Sequence, residues 1–427
     1  MVAAPTTLGN SPEGSNRRAL PPTAQRPSCG IVAKALLFFV AVGEGIPLGH
    51  PNPSLFFVGC AAVVVVAWPW AIRVPRLGVW IAAGFFGTLT NLIVIQQTKT
   101  FHFADVVAYL PLRLAVLLTG IALMCQVRGI TPYRLLGVVA GGYALYGSLA
   151  SLHGVHNAAY MWKYYLAYPV TIIALMLGER HVRLRSVYTL LGLTLGAISL
   201  LSGFRSQGGI VIAAVLFWRL VNSTRVARNK PKRLKTVVML AIVVLTALTL
   251  FPHAAASGWL GHHVENSFRS NATNGTNLLL AGRPETVISV ATIAEKPLLG
   301  WGGIPPTSSA LLQRAIDLAP NFGVAATPSV IQIWSPSGSV SPHSILGATW
   351  IEAGLPGALL CLALLYSAVR FLWKQARGAA RAPAAVIYVS LQLVWELLFS
   401  PLTYGVDALL AVAILLWLPK SKSRHLR

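Results

Sequence analysis

The sequence predicts an all-α polytopic membrane protein, with about 12 transmembrane helices and one long loop between the ninth and the tenth. Of its 427 residues, 55% are hydrophobic and only 11% are charged, whereas a soluble domain carries about 25% charged residues. The mean hydropathy is +0.65. Apolar runs long enough to cross a bilayer core recur along the chain, and this recurrence indicates many spans.

Twelve apolar runs fit the template of roughly 20 residues for a membrane-spanning helix. The seventh and eighth runs are separated by only a few residues around Arg205, so they form a tight hairpin or one broken pair. The twelve runs are 31–49, 55–72, 77–96, 104–126, 133–152, 161–178, 186–203, 207–222, 235–252, 345–372, 383–400 and 404–419.

The positive charges fall mainly on one side of this topology. With the N-terminus inside, all but eight of the 34 Lys and Arg residues lie in segments that face the cytoplasm, as the positive-inside rule requires. The basic run at 225–235 is therefore explained as a topology signal beside anionic lipid. Nucleic-acid binding is not indicated, despite the net charge of +23, because no aromatic residues are interleaved with the basic ones.

The same topology divides the chain into five parts. Polar, proline-rich residues 1–30 form a disordered cytoplasmic tail, and 31–252 hold the first nine helices. Residues 253–343 form an external loop domain, in which 283–293 and 308–318 are predicted to be helical. Residues 344–419 hold the last three helices, and 420–427 form a basic cytoplasmic tail.

Two arginines on the outer side break the inside bias. Arg205 lies between two spans in a Ser/Gly-rich turn before a new helix, and Arg283 directly precedes the first loop helix. A guanidinium beside a helix N-terminus favours phosphate groups. The alternatives are a snorkelling arginine at 205 and, at 283, an exposed arginine paired with Glu285 or Glu295.

Arg113 lies several residues inside its predicted span. A charge at that depth costs a few kcal/mol unless it is paired or hydrated. Asp105, about two turns away on the same helix, is a possible structural partner, and a role in binding a ligand is the alternative.

His343 stands where the long loop ends and the tenth apolar run begins. An imidazole has an ordinary pKa near 6.5 and accepts a proton at neutral pH. No His/Cys/Asp cluster with metal-ligand spacing accompanies it in the loop, and carboxylates are too sparse to indicate a glycosidase pair. We therefore expect His343 to act as a general base without a metal or other cofactor.

Three blocks of sequence resemble the O-antigen ligase and polymerase family (Wzy-C). His343-Ser344, nine further residues and Gly354-Leu355-Pro356-Gly357 resemble the ligase signature of His, a small polar residue, nine positions and Gly-x-x-Gly. Ser202 to Gly208 looks like the family's Ser/Arg/Gly turn between spans. Gly282-Arg283, followed by Lys296-Pro297-Leu298-Leu299-Gly300-Trp301-Gly302, is similar to its Gly-Arg and Pro-Leu-x-Gly-x-Gly block.

The resemblance implies a metal-independent, inverting glycosyltransferase of the multi-span lipid-donor (GT-C) type. Its active site would lie on the periplasmic side of a bacterial inner membrane. It would move a glycan from undecaprenyl diphosphate to lipid A–core and complete lipopolysaccharide. His343 would correspond to the family's catalytic histidine, and Arg205 and Arg283 to its essential outer-face arginines. The Gly354 to Gly357 end is expected to be a packing or kink element.

Three alternatives remain open from the sequence. An O-antigen polymerase or a protein O-oligosaccharyltransferase of the same family would share the chemistry and differ in the acceptor. A transporter for the same lipid-linked glycan would instead depend on membrane-embedded acids such as Glu44, Glu396 and Asp407.

Overall fold

A computed structural model of the chain describes most of the predicted helical segments. The predicted tails, the basic run at 225–235 and the ninth apolar run at 235–252 lie outside the described residues. The described residues are 30–48, 54–71, 77–98, 110–126, 130–152, 157–179, 185–222, 257, 265, 283–336, 338–378, 382–401 and 405–417.

The described part of the chain is all-α, as predicted. Apart from two isolated β-bridges, it contains no β-structure. Each of the other eleven predicted apolar runs is a helix. The helices are α1 (Ile31–Glu44), α2 (Leu55–Ala71), α3 (Leu77–Thr98), α4 (Leu110–Gln126), α5 (Pro132–Leu152), α6 (Ala158–Met161, a π-helical turn Trp162–Leu166, and Ala167–Glu179), α7 (Arg185–Leu201), α8 (Arg205–Asn222), α9 (Glu285–Glu295), α10 (Ser309–Leu318), α11 (Pro328–Trp334), α12 (Ile345–Ala376), α13 (Ala384–Phe399) and α14 (Val406–Trp417).

Among the described helices, α12 is long and apolar enough to cross a membrane. It has 32 residues and a mean hydropathy of 1.8 in its most apolar stretch. Seven shorter apolar helical segments of 10–17 residues accompany it.

The bundle is built around α13 and α14, whose side chains are buried on nearly all sides. Helix α13 contacts α6, α8 and α12, while α14 contacts α4 and α5. Both helices are buried over most of their length, so their sequences are apolar on all sides and show no amphipathic pattern. Polar side chains on them are therefore exceptions that require a partner.

Helices α7 and α8 form a close antiparallel hairpin. The turn between them contains Gly203 at φ 77, a conformation that L side chains rarely adopt. An added Cβ on Gly208 would lie 2.6 Å from the carbonyl oxygen of Gly196 on the facing helix. Small residues at this crossing let the two backbones touch, as in membrane helix pairs. A tight hairpin was one of the two forms that the sequence predicted for this segment.

The described part of the loop domain has its own apolar core. Helices α9 and α10 pack against α11, whose last residue Trp334 is fully buried, and Leu311 and Ala315 of α10 are buried in the same core. The two predicted loop helices are confirmed, whereas α11 was not predicted. Its seven residues are too few to show a helical period, although Thr327 caps its N-terminus and Pro328 begins it.

Helix α12 is kinked at Gly354, whose backbone is non-helical at φ 62 and ψ −153. Two residues later, Pro356 has no N–H to donate, so the carbonyl of Glu352 has no partner within the helix. That carbonyl accepts a hydrogen bond from the N–H of Gly302 at 3.0 Å instead.

The loop at 297–302 docks into this kink through its backbone. The N–H of Trp301 donates to the carbonyl of Ile351 at 2.7 Å, and the N–H of Leu355 donates to the carbonyl of Leu298 at 3.0 Å. The loop thus replaces the helical hydrogen bonds that the kink removes.

Glycine is required on both sides of this contact. A Cβ on Gly354 would overlap the carbonyl oxygen of Leu298, and a Cβ on Gly300 would lie 2.5 Å from the backbone nitrogen of Gly354. Gly300 also has a positive φ of 72. The predicted kink or packing role for the Gly354 to Gly357 end is therefore confirmed at Gly354.

Candidate functional site

His343 lies at the junction between the loop domain and α12. Ser344 follows it and caps the helix, its hydroxyl accepting a hydrogen bond from the N–H of Gly347 at 2.8 Å. On the other side, the N–H of Ser341 donates to the carbonyl of Trp334 at 3.2 Å. The imidazole is thus carried on a segment fixed at both ends.

Glu285, the first residue of α9, faces His343. Its Oε1 lies 3.3 Å from Nδ1 of the imidazole, close enough for a charge interaction although outside hydrogen-bond geometry. Nδ1 of His343 and Oε2 of Glu285 are both buried without a hydrogen-bond partner. Because buried polar atoms are normally paired, a small rotation that joins the carboxylate to Nδ1–H is favoured.

This contact decides which ring nitrogen is available for chemistry. A carboxylate beside Nδ1 favours the tautomer with its proton on Nδ1, which leaves a lone pair on Nε2. The His343 side chain is 33% exposed. Because Nδ1 is buried, the exposed surface lies on the other atoms of the imidazole. Nε2 is therefore the nitrogen that can meet a substrate.

Burial lowers the pKa of His343 below its ordinary value, since it disfavours the charged imidazolium. Glu285 opposes this shift and raises the pKa, and Arg283 adds to it and lowers the pKa. A lowered pKa keeps the imidazole neutral at neutral pH. That is the state that a general base requires.

Trp334 connects the two segments that meet at the site. Its indole Nε1 donates to the carbonyl of Pro284 at 2.7 Å, while its own carbonyl accepts from Ser341. One fully buried side chain thereby fixes the start of α9 relative to the residues before His343.

Arg283 precedes α9 by two residues, and its charge acts on His343 at the junction. Glu295, one of the two alternative partners of Arg283, lies 3.6 Å from Arg314. The structure therefore brings Glu285, two residues after Arg283, against His343.

Arg205 is the first residue of α8, at the tip of the α7–α8 hairpin. Its backbone is described, but its side chain lies outside the description. Gln207, two residues later, donates a hydrogen bond to the hydroxyl of Tyr388 on α13. Helix α13 therefore contacts the helix that Arg205 begins.

Arg113 lies away from this group, in the interior of the bundle. Its Nε and a terminal nitrogen each lie 2.7 Å from Oδ2 of Asp407 on α14, and both side chains are buried. The nearby Glu44 accepts a hydrogen bond from the hydroxyl of Ser54 at 2.8 Å. Asp105, the expected partner, lies outside the described residues, and the partner found is contributed by a different helix.

Sequence reasoning missed Glu285 as the partner of His343. It interpreted Glu285 as a favourable first-turn residue, a role that it has, and as a possible ion-pair partner of Arg283. One feature of the sequence could have indicated this contact. Glu285 stands two residues after Arg283 and begins a helix of the same loop domain that ends at His343.

Among the described residues, no group of three or more His, Cys, Asp or Glu side chains is arranged to hold a metal ion. We found no family model that matches the sequence and no curated protein that matches it. The three sequence blocks and the geometry around His343 therefore carry the functional inference.

Proposed function

We propose that this protein is a glycosyltransferase of the O-antigen ligase type. In this proposal it transfers a glycan from undecaprenyl diphosphate to lipid A–core and so completes lipopolysaccharide. The observation that carries the proposal is the imidazole of His343, with Nδ1 against Glu285 and with Arg283 beside it. A base next to a cation is what transfer from an anionic leaving group to a hydroxyl requires.

The proposed reaction is a single inverting displacement. The acceptor hydroxyl oxygen attacks the anomeric carbon, and a new C–O bond forms on the face opposite the diphosphate. The bond from the anomeric carbon to the diphosphate oxygen breaks, and its electron pair goes to the diphosphate. The hydroxyl proton passes to Nε2 of His343, and Glu285 stabilises the imidazolium that results.

Arg283 and Arg205 are assigned to the diphosphate, where negative charge grows as the glycosidic bond breaks. One well-placed electrostatic contact of this kind contributes roughly 3–4 kcal/mol to the barrier reduction. In this proposal the guanidiniums supply the stabilisation and no metal ion is needed.

The proposed setting is a bacterial inner membrane crossed by twelve spans, with the site on the periplasmic side. The apolar helix α12, the shorter apolar helices and the inside bias of the positive charges support it. The loop domain would then stand above the bilayer, with His343 at the interface where lipid-linked donor and acceptor both arrive.

The test is glycan transfer by purified protein reconstituted with lipid-linked donor and with EDTA present. Wild type should transfer, and His343→Ala should lose about 100- to 10,000-fold in rate while binding donor and unfolding at the wild-type temperature. Substantial residual transfer by that variant would remove His343 as the base. A requirement for added Mg²⁺ or Mn²⁺ would contradict the assignment of charge stabilisation to arginines.

The acceptor is tested in the same reconstitution. Lipid A–core, a second lipid-linked glycan and a Ser/Thr-containing protein are offered in parallel. Modification of lipid A–core supports a ligase, whereas modification of one of the others identifies a polymerase or an oligosaccharyltransferase. Movement of the lipid-linked glycan across the bilayer without transfer would overturn the proposal in favour of a transporter.

A further inference from the structure

The part of α12 that follows the kink carries an exposed apolar stripe. Its large residues recur at alternating spacings of four and three positions, so they share one face of the helix, and each is more than a third exposed. They are Leu355, Leu359, Leu362, Tyr366, Val369 and Trp373. The opposite face, with Cys361, Leu364 and Ala368, is buried in the bundle. Because a water-facing helix carries polar residues on its exposed face, this stripe is suited to lipid.

The length of the stripe matches the hydrocarbon core of a bilayer. Leu355 and Trp373 are 18 positions apart, which corresponds to about 27 Å of helix, and a hydrocarbon core is about 30 Å thick. At the far end, the guanidiniums of Arg370 and Arg377 lie 6.0 and 4.8 Å from the ring centroids of Tyr366 and Trp373. Aromatic rings beside basic residues are typical of a membrane interface. A hydrocarbon core that begins near Trp373 therefore ends near Leu355, at the kink.

The segment 296–299 extends the apolar surface at this end of the stripe. Leu298 and Leu299 are 65% and 51% exposed. The carbonyl of Leu298 accepts the hydrogen bond from the N–H of Leu355, so the docked loop holds both leucines beside the start of the stripe. Large apolar side chains are unfavourable in water, and this placement removes them from it if they enter the acyl chains.

Polar and aromatic groups hold the same segment at the level of an interface. The indole Nε1 of Trp350 donates to the carbonyl of Pro297 at 2.9 Å, and that of Trp301 donates to the carbonyl of Thr292 at 3.1 Å. The ammonium of Lys296 lies 4.1 Å from the centroid of the Trp301 ring. Tryptophan is enriched where an apolar medium meets water, and a lysine there places its charge among the polar headgroups.

We propose that the segment 296–299 is a lipid-binding surface for the outer leaflet, an inference that rests on the proposed membrane setting and not on the proposed reaction. Leu298 and Leu299 insert between the acyl chains of bilayer phospholipids. The ammonium of Lys296 pairs with a lipid phosphate. Two adjacent leucines followed by no polar residue, with one cation before them, are complementary to a chain and a phosphate on the same molecule.

This surface sets the depth of the candidate site. The hydrocarbon ends at the kink of α12, so the first part of that helix, from Ile345 to Ala353, lies outside it. His343, two residues before Ile345, therefore lies on the side of the lipid headgroups. Phosphates are found at that level, whereas prenyl and acyl chains lie below it.

The test is a depth profile in nanodiscs of phosphatidylglycerol and phosphatidylcholine. A genetically incorporated fluorescent amino acid replaces Leu298, Leu299, Leu359 or Gln313, one position per protein. Phospholipids brominated on their acyl chains should quench the probe at Leu298 and Leu299 several-fold more than the probe at Gln313, an exposed position of α10. Aqueous iodide should give the reverse order, and Leu359, within the stripe, marks the response of a lipid-facing position.

Probes at Leu298 and Leu299 that respond to both quenchers as the probe at Gln313 does would overturn the proposal. A probe at Leu359 that also responds as Gln313 does would overturn the membrane setting on which it rests. No donor or acceptor is present, so the result is independent of whether the protein transfers glycan.

A second measurement tests the phosphate contact. Lys296→Glu places a negative charge against the phosphates, so quenching of the Leu299 probe by brominated lipid should fall. Lys374→Glu, which reverses an exposed lysine at the other end of α12, should leave that quenching unchanged. Unchanged quenching in Lys296→Glu, or an equal fall in both variants, would contradict the pairing of Lys296 with a phosphate.

Discussion

At the scale of single residues, the contact between His343 and Glu285 is central. An imidazole by itself is a base of ordinary strength, and three features adjust it. Burial and Arg283 lower its pKa, and Glu285 raises it. The same carboxylate lies against Nδ1, and the net result is a neutral imidazole whose Nε2 is away from this contact.

Replacing Glu285 by Gln removes a charge that raises the pKa of His343. The pKa of His343 then falls further. In the proposed reaction the base is neutral His343, so the acidic limb of the pH–rate profile should move to lower pH. The maximal rate should also fall, by about tenfold or more, because the imidazolium loses its counter-charge.

The measurement is the rate of glycan transfer as a function of pH, at saturating donor and acceptor. The matched control is Glu295→Gln, which removes the carboxylate at the other end of α9, where it pairs with Arg314. That control should leave the profile in place. An acidic limb that is unchanged or shifted to higher pH in Glu285→Gln would show that this carboxylate does not raise the pKa of His343.

At the scale of elements, the kink of α12 accounts for Gly354, the first glycine of the His-Ser-x9-Gly-x-x-Gly pattern. Gly354 and Gly300 allow a backbone contact that other residues would block. Through it, the loop that follows α9 is held on the helix that follows His343. This backbone contact thus links α9, which begins at Glu285, to α12, which begins two residues after His343.

Gly354→Ala should separate these two elements. An alanine at φ 62 and ψ −153 costs about 1–3 kcal/mol in backbone strain alone, and its Cβ meets the Leu298 carbonyl. We expect a lower unfolding midpoint in detergent and a loss of transfer. Gly59→Ala on α2, where an added Cβ meets nothing within 4 Å, is the control and should be neutral. A Gly354→Ala protein with wild-type midpoint and rate would contradict the docking role.

At the scale of the whole molecule, the buried ion pair of Arg113 and Asp407 joins α4 to the central helix α14. The pair occupies the bundle interior, where an isolated charge would be strongly unfavourable. Its geometry accounts for Arg113 as a structural residue. A ligand role for Arg113 stays a prediction, and the same variants test it.

Asp407→Asn should destabilise the protein by about 3–5 kcal/mol, because a buried guanidinium loses its ion-pair partner. The double variant Arg113→Met, Asp407→Leu should recover most of that loss, since well-packed apolar residues replace the pair. Unfolding in detergent measures both. If the double variant is stable and still transfers glycan, Arg113 is structural; if it is stable and inactive, Arg113 contacts the ligand. A double variant no more stable than Asp407→Asn would contradict the ion-pair account.

The sequence by itself predicted the described helices other than α11 and the candidate roles of His343 and Arg283, and at Arg205 it left a tight hairpin and one broken pair as the two forms. These features depend on composition, local periodicity and charge bias, which are properties of contiguous segments. Helix existence was predictable for that reason, whereas the short α11 was too brief to show a period.

Only the tertiary structure decided the partners. Glu285 meets His343, and Asp407 meets Arg113. Each of these contacts joins segments distant in sequence, and their relative placement follows from how the helices pack. Packing depends on the shapes of many side chains together, down to the absence of a Cβ at Gly354, and no local pattern encodes it.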